Sequence, residues 1–93
     1  MYQPGLFFVS SDSAGLTSGV TTSLARSAQR VAATPGSRIV YYEPFLDVCN
    51  AMYRERGLRG WRRETRIQLI ANANPGFADL IGEILEGGLG RSR

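Results

Sequence analysis

The first half of the chain alternates between apolar runs and short polar clusters, and its opening part predicts a β-hairpin. The segments "GLFFVS" (5–10) and "LTSGVTT" (16–22) are rich in β-branched or aromatic residues, and "SDSAG" between them consists of turn-forming residues. A third segment, "RIVYYE" (38–43), holds two tyrosines and two β-branched residues and predicts a third strand.

A helical period separates the hairpin from the third strand. In "LARSAQRVAA" (24–33), Leu24, Ala28 and Val31 fall on one face of a helix. Ser23 stands directly before this segment, where a serine hydroxyl can accept a hydrogen bond from an unpaired N–H of the first turn. We therefore expect a short helix capped by Ser23.

Three further helices are predicted after the third strand. Asp47 is placed to cap a second helix over 48–57, which Gly57 would end, and a third helix follows over 61–72. The pair 74–75, asparagine then proline, has the order that favours the start of a fourth helix. The apolar stripe of this last helix comprises Phe77, Leu80, Ile81, Ile84 and Leu85.

The order of these elements, β-β-α-β-α-α-α, indicates an α+β fold. Strands that pair locally and helices that follow them pack best as a three-stranded antiparallel sheet flanked by helices. We expect a single domain over 1–87 and a flexible C-terminal tail over 88–93.

Composition restricts the chemistry that this domain can carry out. The chain of 93 residues has no histidine and one cysteine, Cys49, so a disulfide within the chain is impossible and a zinc site is nearly excluded. The absence of histidine also removes the commonest general base. No apolar run approaches the roughly 20 residues of a membrane span. We therefore expect a cytoplasmic protein without a membrane partner, in which Cys49 serves as a small apolar residue and Trp61 fills the core.

Charge is concentrated in one part of the chain. The net charge is +3, and residues 54–66 carry six arginines against two glutamates, Glu55 and Glu64. Such a basic patch favours nucleic acid or another anionic partner. Its arginines are Arg54, Arg56, Arg59, Arg62, Arg63 and Arg66.

Glu55 is the unusual member of this segment. At about 100° per residue, it falls within the apolar stripe of the second helix, which Val48, Ala51, Met52 and Leu58 define. A carboxylate in such a position is costly unless it is paired or binds a metal. Periodicity leaves two alternatives open. One is a salt bridge to an arginine one helical turn away, and the other is a carboxylate that binds a hard cation such as Mg²⁺.

The stretch "RIVYYEPFLDVCNAMYRERGLRGWRRETRIQLIANANPGFADL" (38–80) closely resembles the second half of small stand-alone bacterial GIY-YIG endonuclease-like proteins. Those proteins typically read like "RLVYYEEFED…AIAREKQLKGWRR…KIALIE…NPEWRDL". The segments "GLFFV", "LTSGVT" and "SLARS" fit the first half of the same template. The resemblance implies the GIY-YIG fold. In that family two strand tyrosines, a helix arginine and a glutamate surround one divalent metal and cleave phosphodiesters.

Carried over residue by residue, the resemblance implies a degenerate catalytic site. Phe7, or its neighbour Phe8, stands at the position of the first tyrosine, and Thr17 at that of the second. Ser27 occupies the arginine position, and Glu55 is retained as the metal-binding carboxylate. Three of the four positions have thus lost the group that would activate water or neutralise the phosphate.

Three functions follow as expectations. The leading one is a catalytically degenerate GIY-YIG-fold protein that binds nucleic acid and needs no cofactor. The first alternative is a weak or noncanonical Mg-dependent endonuclease centred on Glu55, in which Arg26 or Arg30 reaches the phosphate and Tyr2, Tyr41 or Tyr42 supplies a hydroxyl. The second alternative is a protein-interaction module.

The leading reading also predicts the surroundings of Glu55. If no metal binds, an arginine should neutralise it, either Arg59 on the next turn or Arg26 from the first helix. Phe7 should then fill the space beside the sheet.

Overall fold

The fold is built on one three-stranded antiparallel sheet, with strand order β2-β1-β3, in a computed structural model that describes residues 3–85. Along the chain the elements are β1 (Gly5–Asp12), β2 (Gly15–Thr21), α1 (Leu24–Ala32), β3 (Arg38–Phe45), α2 (Val48–Arg59), α3 (Arg63–Ala73) and α4 (Ile81–Leu85). This arrangement confirms the predicted α+β class and element order. The tail predicted over 88–93 lies outside the described residues. No helix within the described range is long and apolar enough to span a membrane.

The pairing of β1 with β3 contains a β-bulge. Val9 pairs with Tyr41, whereas the next residue, Ser10, pairs with Ile39, so Val40 is an extra residue in β3. A bulge places two consecutive side chains on the same side of the strand. Val40 and Tyr41 accordingly pack into the same hydrophobic cluster.

Each face of the sheet carries its own hydrophobic cluster. On the side that we call the α2 face, α2 and α3 cover a cluster of Phe7, Val9, Val40, Ala51, Leu58 and Ile70. On the opposite side, the α1 face, α1 and α4 cover a cluster of Leu24, Ala28, Ile39, Ile81 and Ile84. Helices therefore cover both faces of the sheet, although β2 stays only half-buried along most of its length.

The helix caps agree with the sequence at the start of α1 and α2 but not at the end of α2. The hydroxyl of Ser23 accepts a hydrogen bond from the backbone N–H of Arg26, and Asp47 accepts one from Cys49. Gly57 does not end α2, because the helix continues for two more residues to its C-cap Gly60. A glycine inside a helix costs only about 1 kcal/mol, which the buried contacts of this helix offset.

The sequence predicts that Asn74 begins a helix, but in the structure it ends α3. Its side-chain amide donates to the carbonyls of Val40 and Ala78, both at 3.0 Å, and its side-chain oxygen accepts from the N–H of Ala78 at 3.1 Å. The last helix starts later, at Ile81, whose N–H donates to the side chain of Asp79. Asparagine side chains bond backbone groups in turns as well as at helix starts, so local chemistry alone does not distinguish the two positions.

The segment around Asp79 also covers the outer edge of β3. The backbone N–H of Leu80 donates to the carbonyl of Ile39 at 2.8 Å, and Asp79 accepts from the N–H of Ile39 at 3.4 Å. At the other end of the sheet, no described residue pairs with the outer edge of β2. The outer edge of β3 is thus covered, whereas that of β2 is open within the described residues.

We expect Gly5→Ala to destabilise the fold and Gly57→Ala to stabilise it. A Cβ atom at Gly5 would lie 2.6 Å from Cβ and 2.8 Å from Cα of Val48, where backbone atoms have to move. Overpacking of this kind typically costs about 1–3 kcal/mol. A Cβ at Gly57 meets nothing within 4 Å, and alanine favours the helix by about 0.5–1 kcal/mol. Urea unfolding of both variants checks this, and equal stabilities would contradict it.

Candidate functional site

Glu55 is buried on the α2 face, where only 7% of its surface is exposed, and its carboxylate is fully engaged. Arg59 donates from Nη2 to Oε1 at 2.6 Å and from Nε to Oε2 at 2.9 Å. The hydroxyl of Ser18, on β2, donates to Oε2 at 2.6 Å. The bidentate pair confirms Arg59, and not Arg26, as the partner of Glu55. Ser18 adds a bond that ties α2 to the strand.

The surroundings of Glu55 keep it ionised. The hydrogen bonds from Arg59 lower the pKa of the Glu55 carboxyl below its ordinary value. Burial acts in the opposite direction, while the hydrogen bond from Ser18 and the charge of Arg56 lower the pKa further. The same pair raises the pKa of Arg59. At neutral pH Glu55 is therefore a carboxylate that is neutralised by a guanidinium.

A groove of about 500 Å³ lies between β2 and α2, with Glu55 in its wall. We call it the Glu55 groove. Its lining consists of Leu16, Ser18, Gly19, Val20, Met52, Glu55, Arg56, Arg59 and Arg66. Three guanidinium groups thus surround one carboxylate, and the groove is positively charged.

Two of these arginines keep free hydrogen-bonding capacity. Arg56 and Arg66 form no salt bridge with a carboxylate within residues 3–85. The Nε atom of Arg66 is buried and has no hydrogen-bond partner in the part of the chain that the structure describes. An unsatisfied buried donor is unfavourable, so this atom is a source of instability in the described structure.

Arg54 belongs to a separate network on the other side of α2. It donates from Nε to Oε1 of Glu43 at 2.9 Å and from Nη2 to Oε2 at 3.1 Å. Its guanidinium carbon also lies 5.6 Å from the centre of the Trp61 ring. Trp61 remains 38% exposed, so its predicted place in the core is wrong. It follows the end of α2 and packs on an arginine instead.

Neither tyrosine of β3 supplies a hydroxyl to Glu55. The Tyr41 hydroxyl donates to Glu43, and burial together with this bond raises the pKa of Tyr41 to about 12. The Tyr42 hydroxyl donates to Glu83 of α4 at 2.9 Å, and burial raises its pKa above the ordinary value. Both tyrosines are structural donors. Cys49, expected to pack as a small apolar residue, is exposed.

Arg62 and Arg63 are exposed at the start of α3, outside the Glu55 groove. The side chain of Arg63 lies beside the β1–β2 turn, with Nη1 3.8 Å from the Cβ position that a side chain at Gly15 would occupy. The six arginines of the basic segment therefore fall into three groups, of which only one surrounds Glu55.

The positions that the family resemblance assigns are divided between the two faces. Phe7 is buried in the cluster of the α2 face, the face of Glu55. Thr17 is exposed and, as the neighbour of Ser18 on a strand, directs its side chain to the α1 face. Arg26 is exposed and Ser27 is buried on α1, which packs on the α1 face. The structure brings only Phe7 to the side of Glu55.

Ser18 is the residue of this site that sequence reasoning missed. Its signal is its place one residue after Thr17, which puts it on the opposite face of β2. Which of the two faces Glu55 depends on the register with β1, where Ser18 pairs with Val9 of the α2-face cluster. Hydrophobic patterning does not fix this register, because β2 is half-buried along most of its length.

The donor set around Glu55 does not fit Mg²⁺. This ion requires near-octahedral oxygen ligands, commonly one or two carboxylates with water and phosphate. Here one carboxylate has both oxygens bonded by a guanidinium, and the hydroxyl of Ser18 donates to the same carboxylate. Among residues 3–85 no cluster of three carboxylate or thiol groups is placed to hold a metal.

Comparisons with protein-family models, with curated proteins and with solved structures found no match for this chain. The GIY-YIG relationship therefore stays a prediction from the sequence.

We expect Glu55→Gln to lower the free energy of unfolding by about 1–2 kcal/mol at pH 7. This is less than a fully buried pair would lose, because the Arg59 side chain is 66% exposed. Since the folded-state pKa of Glu55 is lowered, its stabilisation is complete above the unfolded value of about 4.5 and is lost as pH falls through the folded value. The gap between wild type and variant should therefore begin to close as the pH falls below about 4.5.

Chemical denaturation from pH 7 to pH 3 measures this gap. Glu64→Gln is the matched control, because Glu64 is exposed on α3 and forms no salt bridge within the described residues. A gap that stays constant with pH, or an equal effect at Glu64, would contradict the assignment.

Proposed function

We propose that this chain is a nucleic-acid-binding protein of the GIY-YIG type whose former catalytic site no longer hydrolyses phosphodiesters. In this proposal the Glu55 groove holds the sugar-phosphate backbone, and binding needs no metal. The observation that carries the proposal is the excess of guanidinium groups in this groove, where three arginines surround one carboxylate.

The state of Glu55 supports the loss of catalysis. Arg59 and Ser18 occupy both oxygens, so a metal would first have to displace a bidentate guanidinium. The hydroxyl group that a tyrosine would supply is absent at Phe7, and the side chain of Thr17 belongs to the opposite face. Positioned groups of this kind each contribute about 10²–10⁴ to a rate, so their combined loss removes useful turnover.

The free donors of the groove support phosphate binding. Arg56 is exposed, and the buried Nε of Arg66 lacks an acceptor within the described residues. Both residues line the groove, and guanidinium groups are planar donors suited to phosphate. Arg62 and Arg63, exposed at the start of α3, can extend the basic surface beyond the groove.

We expect affinity for DNA to fall steeply with salt, with a slope set by the arginines of the groove. Each phosphate contact that releases a counterion contributes about 0.9 to the slope of log K against log salt concentration. The double variant Arg56→Ala with Arg66→Ala should therefore reduce the slope by about 2. Fluorescence anisotropy with a labelled duplex and a labelled single strand, over a salt series, measures it.

The matched control is Arg26→Ala with Arg30→Ala, which removes the same charge from exposed positions on α1. This pair should leave the slope unchanged, because α1 covers the other face of the sheet. A third variant, Arg62→Ala with Arg63→Ala, shows how far the surface extends. Absence of binding at low salt, or equal effects of the groove and control pairs, would refute the nucleic-acid proposal.

We expect no cleavage of supercoiled plasmid in Mg²⁺ or Mn²⁺. Wild type and Glu55→Ala should give the same background of nicked plasmid on an agarose gel, since Glu55 is committed to Arg59. Nicking by the wild type that disappears in Glu55→Ala would instead identify the Mg-dependent endonuclease, and binding without nicking supports the degenerate site.

A further inference from the structure

We propose that the outer edge of β2 binds an extended acidic peptide, which joins the sheet as a fourth strand beside the Glu55 groove. This site shares the arginines of the Glu55 groove with the proposed nucleic-acid function, but it also depends on the backbone of β2 and on a strand-forming partner. Strand addition supplies affinity through main-chain hydrogen bonds and specificity through alternate side chains.

The first observation is the difference between the two edges of the sheet. The edge of β3 is covered by Asn74, Asp79 and Leu80, which bond the backbone of Ile39 and Val40. No described residue bonds or pairs with the outer backbone edge of β2. An edge of this kind presents free N–H and C=O groups to any chain that can pair with them.

The second observation is that β2 lacks the features that normally protect an edge strand. Its sequence, "GLTSGVT", contains no charged residue and no proline. It pairs with β1 over seven consecutive residues without a bulge. Charges, prolines and bulges are the usual means by which edges avoid new partners, so their joint absence favours an edge that accepts one.

The charge beside this edge defines the partner. The side chains of Leu16, Ser18 and Val20 and the backbone at Gly19 line the Glu55 groove, as does Arg56. In a strand added to β2, every second side chain would point to the α2 face and hence toward the arginines. Acidic residues at alternate positions would therefore meet the groove, while the others would face the opposite side.

A second copy of the chain fits this edge less well. Two β2 strands that paired about a two-fold axis would bring the α2 faces of both copies together. Arg56, Arg59 and Arg66 of one copy would then approach the same groove of the other, and like charges oppose association. An acidic strand has the opposite charge and no such penalty.

Three twelve-residue synthetic peptides with capped termini test the proposal. The first alternates glutamate and threonine, and the second has the same composition with the glutamates in adjacent pairs. The third is the alternating peptide with N-methyl groups on two successive central residues, which removes a donor from each of its edges. Titration into ¹⁵N-labelled protein, followed by NMR, gives affinities and the residues affected.

We expect the alternating peptide to bind and to shift the amide signals of 15–21. The paired and the N-methylated peptides should each bind roughly tenfold more weakly or worse, since one loses the facing of its charges and the other its main-chain bonds. Arg56→Ala should weaken the alternating peptide, whereas the matched control Arg30→Ala should not. Both arginines are exposed, so both variants should fold.

Several outcomes would overturn the proposal. Equal affinity for the alternating and paired peptides would show charge attraction without strand addition. Signal shifts confined to α2 and α3 would place the peptide elsewhere. A concentration-dependent dimer in sedimentation, with shifts at 15–21, would identify a second copy as the occupant. Shifts at 15–21 with a thymidine oligonucleotide but not with the peptide would assign the edge to nucleic acid. Failure of DNA binding alone would leave this proposal standing, because strand addition is tested only by the paired and N-methylated peptides.

Discussion

The ion pair between Glu55 and Arg59 determines what the α2 side of this protein can do. A carboxylate that is 7% exposed cannot remain charged without donors, and here Arg59 and Ser18 provide them. Arg59 holds the Glu55 side chain in place where α2 faces the sheet. The hydrogen bond from Ser18 connects the same carboxylate to β2. The same contacts occupy the carboxylate, so the groove presents guanidinium groups and not a free acid. The same set of hydrogen bonds therefore holds α2 against β2 and leaves the groove positively charged.

The Glu43 network shows the same solution on the other side of α2. Burial raises the pKa of Glu43, but hydrogen bonds from Arg54 and Tyr41 more than offset it, and the net pKa is lowered. Two arginines of one helix, Arg54 and Arg59, therefore neutralise two acids that face the sheet or its end. Part of the basic segment therefore serves to neutralise acidic residues within the protein. The other four arginines of the segment, Arg56, Arg62, Arg63 and Arg66, form no salt bridge within residues 3–85.

Local chemistry explains which elements could be predicted from the sequence. The hairpin, the third strand and the Ser23 and Asp47 caps depend on neighbours within a few residues, and all were predicted correctly. The period of α2 also placed Glu55 on the buried side. The predicted role of Asn74 at a helix start is wrong, because its amide bonds distant β3 as well as its own loop. The face of Ser18 required the strand register, and the exposure of Trp61 required knowing where α2 ends.

The bulge in β3 makes the protein unequally sensitive to changes in chain length. Val40 is the extra residue of the bulge. The side chains that follow it therefore point to the same faces as they would in a regular strand that lacked Val40. A natural deletion at this point would leave Glu43 facing Arg54 and would restore regular pairing, at the cost of one buried valine. An added residue in the same strand, unless a second bulge absorbed it, would turn Tyr41, Tyr42 and Glu43 to the wrong faces and separate Glu43 from Arg54. Related sequences should therefore vary in length at β3 by loss more readily than by gain.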